Sequence, residues 1–274
     1  MQSKDKSTGI LLVGHGTRSE VGTSQFLKLA REMESVLAPN VVEHAFLEMQ
    51  QPDIRAGVGR LIDRGIARLV TVPLLLFAAG HAKRDIPFAV HAALRLRGAG
   101  KVEHFQAGHL GCHPALVELS HQRMLETAAD NENQVEPNKT CLLLVGRGSN
   151  EESATAEMHQ FAQMRQAICG LKTDVAFLAM ARPLLCDQLR HVDCQGYRRI
   201  IVQPHFLFDG ELVESINQQV GEMIVSHRPT NWLIARPLVN SDSFVTPAAE
   251  FMRKVIVDRS REAGIRVVTT KGDD

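Results

Sequence analysis

The chain is expected to be α/β, built as two homologous lobes, each a parallel sheet flanked by helices, with an active-site cleft between them. Three observations carry this reading. Short apolar runs alternate with segments of helical periodicity, a polar stretch interrupts the pattern near residue 130, and the same pattern then restarts.

The elements follow in order. Ile10–Val13, Val41–Leu47, Arg68–Leu76 and Val102–Gln106 are rich in β-branched residues or leucine and read as strands. Between them, Ser24–Ala38, Pro52–Arg64, Lys83–Arg97 and Pro114–Ala128 carry apolar residues at helical spacing. Pro52 and Pro114 suit the first turn of a helix, and Gly65 suits a stop. Near-continuous apolar strands such as Leu69–Leu76 belong in a parallel sheet covered on both faces.

Residues 130–139 are polar, lack periodicity and include Pro137, which marks a linker. Beyond it, Leu144-Val145-Gly146-Arg147-Gly148-Ser149 repeats Leu12-Val13-Gly14-His15-Gly16-Thr17 at an offset of 132 residues. Phe177, Pro183, Gly196 and Pro204 repeat Phe46, Pro52, Gly65 and Pro73 at an offset of 131. A register held over five landmarks is an internal duplication. The expected division is an N-terminal lobe at 1–130 carrying the active site, a linker at 131–139, and a degenerate C-terminal lobe at 140–274.

Composition sets limits on function. The 274 residues are 44% apolar, and 31 Lys+Arg balance 31 Asp+Glu to a formal net charge of zero. A disordered chain is excluded, and a general nucleic-acid binder would carry a basic excess. The N-terminal residues lack the apolar stretch of a signal peptide, and the longest nearly apolar run, Leu69 to Gly80, is well short of the roughly 20 residues that span a bilayer. Five cysteines without C-x-x-C spacing suggest neither a disulfide framework nor a structural zinc site. A cytoplasmic location, with no membrane or nucleic-acid partner, is expected.

A duplicated chain supplies its own control, because residues needed only for folding should persist in both copies. His15, Glu48 and His81 of the first lobe are matched in the second by Arg147, Ala179 and Leu212. Each of the three lies at or just beyond the carboxyl end of a strand, where open parallel sheets bind ligands. Two imidazoles and a carboxylate there suit metal binding and proton acceptance near neutral pH. His109 and His113 have two readings, lining the same cleft or capping their loop. His205 is a further candidate for the cleft, whereas His44, His91 and His104 have no partner at diagnostic spacing. The glycine turns match neither G-x-G-x-x-G nor a P-loop, and no G-x-S-x-G elbow occurs.

The segments Leu12-Val13-Gly14-His15-Gly16-Thr17-Arg18, Phe46-Leu47-Glu48, Val72 to Pro87 with its Gly80-His81-Ala82-Lys83-Arg84-Asp85-Ile86-Pro87, and Gly108 to Pro114 resemble the class II sirohydrochlorin chelatases. The resemblance spans nearly the whole chain and points to the long, internally duplicated form. It implies insertion of Co²⁺, or next Fe²⁺, into sirohydrochlorin in cobalamin or siroheme biosynthesis, with the metal as substrate and no tightly bound cofactor. Carried over residue by residue, His15 is the proton acceptor and a metal ligand, His81 a second metal ligand, and Glu48 an acidic site position. Leu76, Phe77, Ala78, Ala79 and Gly80 correspond to the stretch along the tetrapyrrole, and Gln51 to a nearby contact. Because Arg147 replaces the matching histidine, one active site and a monomer that is a pseudo-dimer by duplication are expected. Arg18, Lys83, Arg84 and Arg147 are candidate cations for the substrate's carboxylates. The alternative from a different class is a tetrapyrrole or metal carrier that binds without catalysis.

Overall fold

A computed structural model describes residues 7–77, 84–129, 135–225, 230–239 and 247–263. Its elements are β1 (Thr8–Gly14), α1 (Glu20–Val36), β2 (Val41–Phe46), α2 (Ile54–Asp63), β3 (Arg68–Pro73), α3 (Ile86–Leu96), β4 (Glu103–Gln106) and α4 (Pro114–Ala129). After a short turn at Pro137–Lys139 come β5 (Thr140–Gly146), α5 (Glu152–Cys169), β6 (Lys172–Phe177), α6 (Leu185–Asp193), β7 (Arg199–Pro204), α7 (Glu211–Val225), β8 (Asn231–Ile234) and α8 (Pro247–Glu262). Among the described residues there are two four-stranded sheets, ordered β2-β1-β3-β4 and β6-β5-β7-β8, and every pairing in them is parallel.

The central strands have the burial their sequence demands. Ile10, Leu11, Leu12 and Val13 are all fully buried, so side chains on both faces of β1 are covered and the strand reads as an unbroken apolar run. On one face, Leu11, Val13, Ala45 and Leu69 pack with Ile54, Val58 and Leu61 of α2 and with Val90 and Ala93 of α3. The second sheet repeats this core with Leu143, Val145, Ala176 and Ile200 against Leu185, Leu189 and Val192 of α6 and Ile216 and Val220 of α7.

Helix starts follow local capping chemistry. Ser19 caps α1 by accepting from the Gly22 N–H at 3.2 Å, and Asp53 caps α2 by accepting from the Ala56 N–H at 2.8 Å. Two boundaries correct the sequence reading. Pro52 lies before the cap of α2, in a cis peptide with Gln51, and not in the first helical turn. β3 stops at Pro73 and not at Leu76, the ladder to β1 closing with Leu74 N–H donating to the Val13 carbonyl at 2.8 Å. Pro114 opens α4 and Gly65 ends α2 with a φ of 74°, both as expected.

The compact units differ from the repeat boundaries at two helices. One unit comprises Met1–Gly111 with Val245–Asp274, and the other Cys112–Phe244. Thus α4, assigned by sequence to the first lobe at 1–130, packs on α5, β7 and β8, while α8, from the 140–274 repeat, packs on α1 and β3. In the first unit, Met252, Val255, Ile256 and Val257 of α8 are buried, and Arg259 donates to the Leu110 carbonyl at 3.1 Å. In the second, Arg123 of α4 is buried, donating to the Leu238 carbonyl at 3.1 Å and pairing with Glu126. Each repeat therefore leaves one sheet face to be covered by the terminal helix of the other repeat.

Candidate active site

The turn after β1 brings two of the expected site residues together. Parallel pairing of β1 with β2 ends at Gly14 and Phe46, but the backbone ladder continues. Leu47 N–H donates to the Gly14 carbonyl at 2.9 Å and Glu48 N–H to the His15 carbonyl at 3.1 Å. His15 and Glu48 are thereby held side by side beyond the carboxyl edge of the sheet, the edge at which parallel α/β folds bind ligands.

Gly16 makes this approach possible. Its φ is 99°, and a Cβ at that position would overlap the Glu48 carbonyl oxygen. Only glycine meets both conditions, since it tolerates positive φ and has no side chain to collide. Opposite it, the strand-two turn is closed by Gln50, whose side-chain amide donates to the Thr17 carbonyl at 2.7 Å. Met49 takes a φ of 64° in that turn.

Within this frame His15 Nδ1 lies 3.2 Å from Glu48 Oε1, with the two side chains 32% and 41% exposed. A carboxylate oxygen accepts and does not donate, so Nδ1 carries the hydrogen. In the neutral ring the lone pair is then on Nε2, the type of nitrogen that binds metal ions or accepts protons. The arrangement is a carboxylate–histidine pairing, in which the carboxylate orients the imidazole ring.

The second unit repeats the backbone device without this chemistry. Leu178 N–H donates to the Gly146 carbonyl at 3.0 Å and Ala179 N–H to the Arg147 carbonyl at 2.9 Å. Gly148 has a φ of 90° and would meet the Ala179 carbonyl if it bore a Cβ, and Met180 has a φ of 60°. The turn is thus a requirement of the fold, whereas the imidazole–carboxylate pair belongs to the first unit.

The remaining expected residues divide. His81 and the stretch Ala78, Ala79 and Gly80 lie outside the described residues, as does Lys83. Leu76 and Phe77 are half-buried just after β3, where the Leu76 carbonyl accepts from Gly111 N–H at 3.0 Å. Gln51 is exposed and its Oε1 accepts from Asp53 N–H at 3.1 Å, so its side chain serves the turn into α2. Arg18, Arg84 and Arg147 are exposed. Among the described residues, no three His, Cys, Asp or Glu side chains form a metal-binding group.

The other histidines resolve largely into structural roles. His113 is buried and its Nδ1 accepts from Ala115 N–H at 3.2 Å, which caps α4. His44 is half-buried beside the rings of Phe26 and Phe46, and burial together with Arg60 lowers its pKa. His205 does not face an open cleft: it is 2% exposed, its ring lies 4.3 Å from that of Phe161, and burial pushes its pKa down to about 3. His91 and His104, which sequence spacing did not connect, have ring centroids 5.0 Å apart. Burial and His91 hold His104 down at a pKa of about 4. Their encounter depends on α3 folding back over the edge strand β4, which no local pattern reveals.

Comparison with known proteins agrees with the duplicated fold. The CbiX family model matches residues 9–127 and again 141–255. The chain is 29% identical over 220 residues to a sirohydrochlorin ferrochelatase of Priestia megaterium, covering 80% of each protein. It is 26% identical to a sirohydrochlorin cobaltochelatase of the same organism, over 82% of this chain and 72% of the relative. The structure of SirB from Bacillus subtilis with Fe³⁺ superposes with a TM-score of 0.75 at 23% identity, covering 94% of this chain and 95% of SirB. At that identity the likeness concerns the fold. With two matches that together span most of its length, the chain belongs to the CbiX family.

Proposed function

We propose that this protein is a sirohydrochlorin chelatase, inserting a divalent metal ion into the macrocycle with release of two protons. The observation that carries the reading is the His15–Glu48 pair, present at the sheet edge of the first unit and replaced by Arg147 and Ala179 on the same backbone turn of the second. Relatives named sirohydrochlorin ferrochelatase and sirohydrochlorin cobaltochelatase support it.

Insertion requires that water be stripped from the ion, that the ion be presented to one face of the ring, and that two pyrrole N–H protons be removed. His15 Nε2 holds the metal and, as the ion passes to the macrocycle, accepts one pyrrole proton. It hands that proton to solvent and then accepts the second, with the Glu48 carboxylate orienting the ring and stabilising the imidazolium between the two transfers. His81 is the second imidazole ligand. Imidazole binds such ions firmly enough to desolvate them yet yields them to four pyrrole nitrogens. Leu76, Phe77, Ala78, Ala79 and Gly80 lie along the tetrapyrrole, with Gln51 near its edge. Arg18, Lys83, Arg84 and Arg147 are the cations available to its carboxylates.

Co²⁺ is the favoured metal, with Fe²⁺ next; imidazole ligands accept both ions. The protein acts as a cytoplasmic monomer on sirohydrochlorin and a metal ion, with no resident cofactor and no nucleic-acid or membrane partner. No described helix is long and apolar enough to cross a membrane.

The test is the absorbance change of anaerobic sirohydrochlorin mixed with Co²⁺ or Fe²⁺. The parent protein should accelerate insertion catalytically, and His15→Ala should lower the rate by about 10²–10⁴, the usual contribution of a positioned base. Stoichiometric binding without acceleration would mark a carrier instead.

A further inference from the structure

The first unit contains a second pair of imidazoles, remote from His15 and Glu48. His91 lies exposed on α3, and His104 lies on the edge strand β4, its Nε2 3.0 Å from the Thr71 hydroxyl. His104 pairs with Leu69, which pairs with Gly9, so His15 is six residues further along the strand direction, about 20 Å at the rise of a β-strand. The two sites are therefore separate.

The ring separation fits a shared ion. With a metal–nitrogen bond of about 2.1 Å, a bound imidazole's centroid lies about 3.2 Å from the metal, and two rings at an angle of about 100° stand about 5 Å apart. The observed centroid separation is 5.0 Å, with ring planes at 82°. Thr71 is fully buried, so its hydroxyl is a fixed partner for one nitrogen of His104. That is the second hydrogen bond by which ligating histidines are oriented. His91, exposed on its helix, can turn its ring toward the same point.

Packing alone does not call for these residues. The register that pairs Leu69 with His104 pairs Ile200 with Trp232 in the second sheet, and Val202 stands where the first sheet has Thr71. Trp232 is buried in the apolar core there. A large apolar ring thus satisfies the fold at this position, and the change to His104, Thr71 and His91 adds ligand chemistry that the fold does not need.

We propose that His91 and His104, with Thr71 orienting the latter, form a second divalent-metal site that takes a borderline first-row cation such as Co²⁺, Ni²⁺ or Zn²⁺ from solvent. Two protein nitrogens plus water make it a weak, exchangeable site, suited to holding an ion rather than to fixing the fold.

The test is equilibrium dialysis of Co²⁺ against full-length protein without tetrapyrrole, in a His15→Ala/His81→Ala background, so that the outcome does not depend on the proposed catalytic ligands. Adding His91→Ala should remove one bound equivalent. Alanine at that exposed helical position should leave the fold intact. Thr71→Val should keep the site but weaken it about tenfold, the lower end for losing an orienting partner. Equal Co²⁺ equivalents with and without His91→Ala would overturn the proposal, as would unchanged affinity in His104→Gln protein that is folded by circular dichroism.

Discussion

Glu48 Oε1 stands 3.2 Å from His15 Nδ1, and the backbones of the same two residues are joined by a 3.1 Å hydrogen bond from Glu48 N–H to the His15 carbonyl. Side chains and main chain are thus registered together, so the pair should act as a unit. Glu48→Gln should reduce metal insertion about 10- to 100-fold, the range for disturbing the partner of a ligating histidine. The double variant with His15→Ala should be little slower than His15→Ala alone, because groups that work as one are non-additive. Initial rates at saturating metal check this, and additive losses would mean that the two residues act independently.

Gly16 and Gly148 offer a matched experiment. Both have positive φ, and a Cβ on either would collide with a carbonyl, that of Glu48 or of Ala179. Alanine at either site should destabilise the protein by about 1–3 kcal/mol. Only Gly16→Ala should also lower the insertion rate of the protein that remains folded, because only there does the displaced strand end carry the carboxylate. Urea unfolding read beside specific activity distinguishes the two. Parent-like activity per folded molecule in Gly16→Ala would show that the turn does not set the site geometry.

Much of this architecture was legible in the sequence for an identifiable reason. Ile10 to Val13 is buried on both faces, which forces an unbroken apolar run, and the conserved spacing of glycines and prolines between the repeats follows from turns that both units require. His15 and Glu48 were legible because the repeat varies the chemistry while keeping the turn. The exchange of α4 and α8 was not legible, because an amphipathic helix states that it needs a face but not which sheet provides it. His91 and His104 were missed likewise, since their meeting is set by helix-on-strand packing and not by spacing. Gln51 came only from the family resemblance, since no local pattern marks it, and its Oε1 accepts from Asp53 N–H in the turn into α2.

Loss of α8 should damage the first unit, although the helix belongs by sequence to the second repeat. Met252, Val255, Ile256 and Val257 are buried, and the helix packs on α1 and β3. Fully burying a side chain of this size contributes about 1.5–3 kcal/mol, so four together rival the stability of a typical domain. A chain ending at residue 244 should therefore become protease-sensitive in residues 7–111 before residues 112–239. Preferential cleavage of the second unit would contradict the assignment of α8.

His205 should give the protein an acid-sensitive core. Its imidazole, buried at the end of β7 beside Phe161, has its pKa lowered to about 3 by desolvation, against about 6.5 in an unfolded chain. Between those values the unfolded chain binds the additional proton, so this contribution to stability is complete above pH 6.5 and is lost as pH falls toward 3. At pH 5 the loss is about 2 kcal/mol, from roughly 1.5 pH units at 1.36 kcal/mol each. The first unit has Leu74 at the matching position, buried in its own core, so His205→Leu is a substitution the fold already accommodates. In that variant the drop in urea-unfolding free energy between pH 7 and pH 5 should be smaller by about 2 kcal/mol. An unchanged pH slope would mean that His205 is protonated in the native state or stays unprotonated on unfolding, and the acid sensitivity would then have to come from other groups, His104 foremost, whose pKa is also lowered, to about 4.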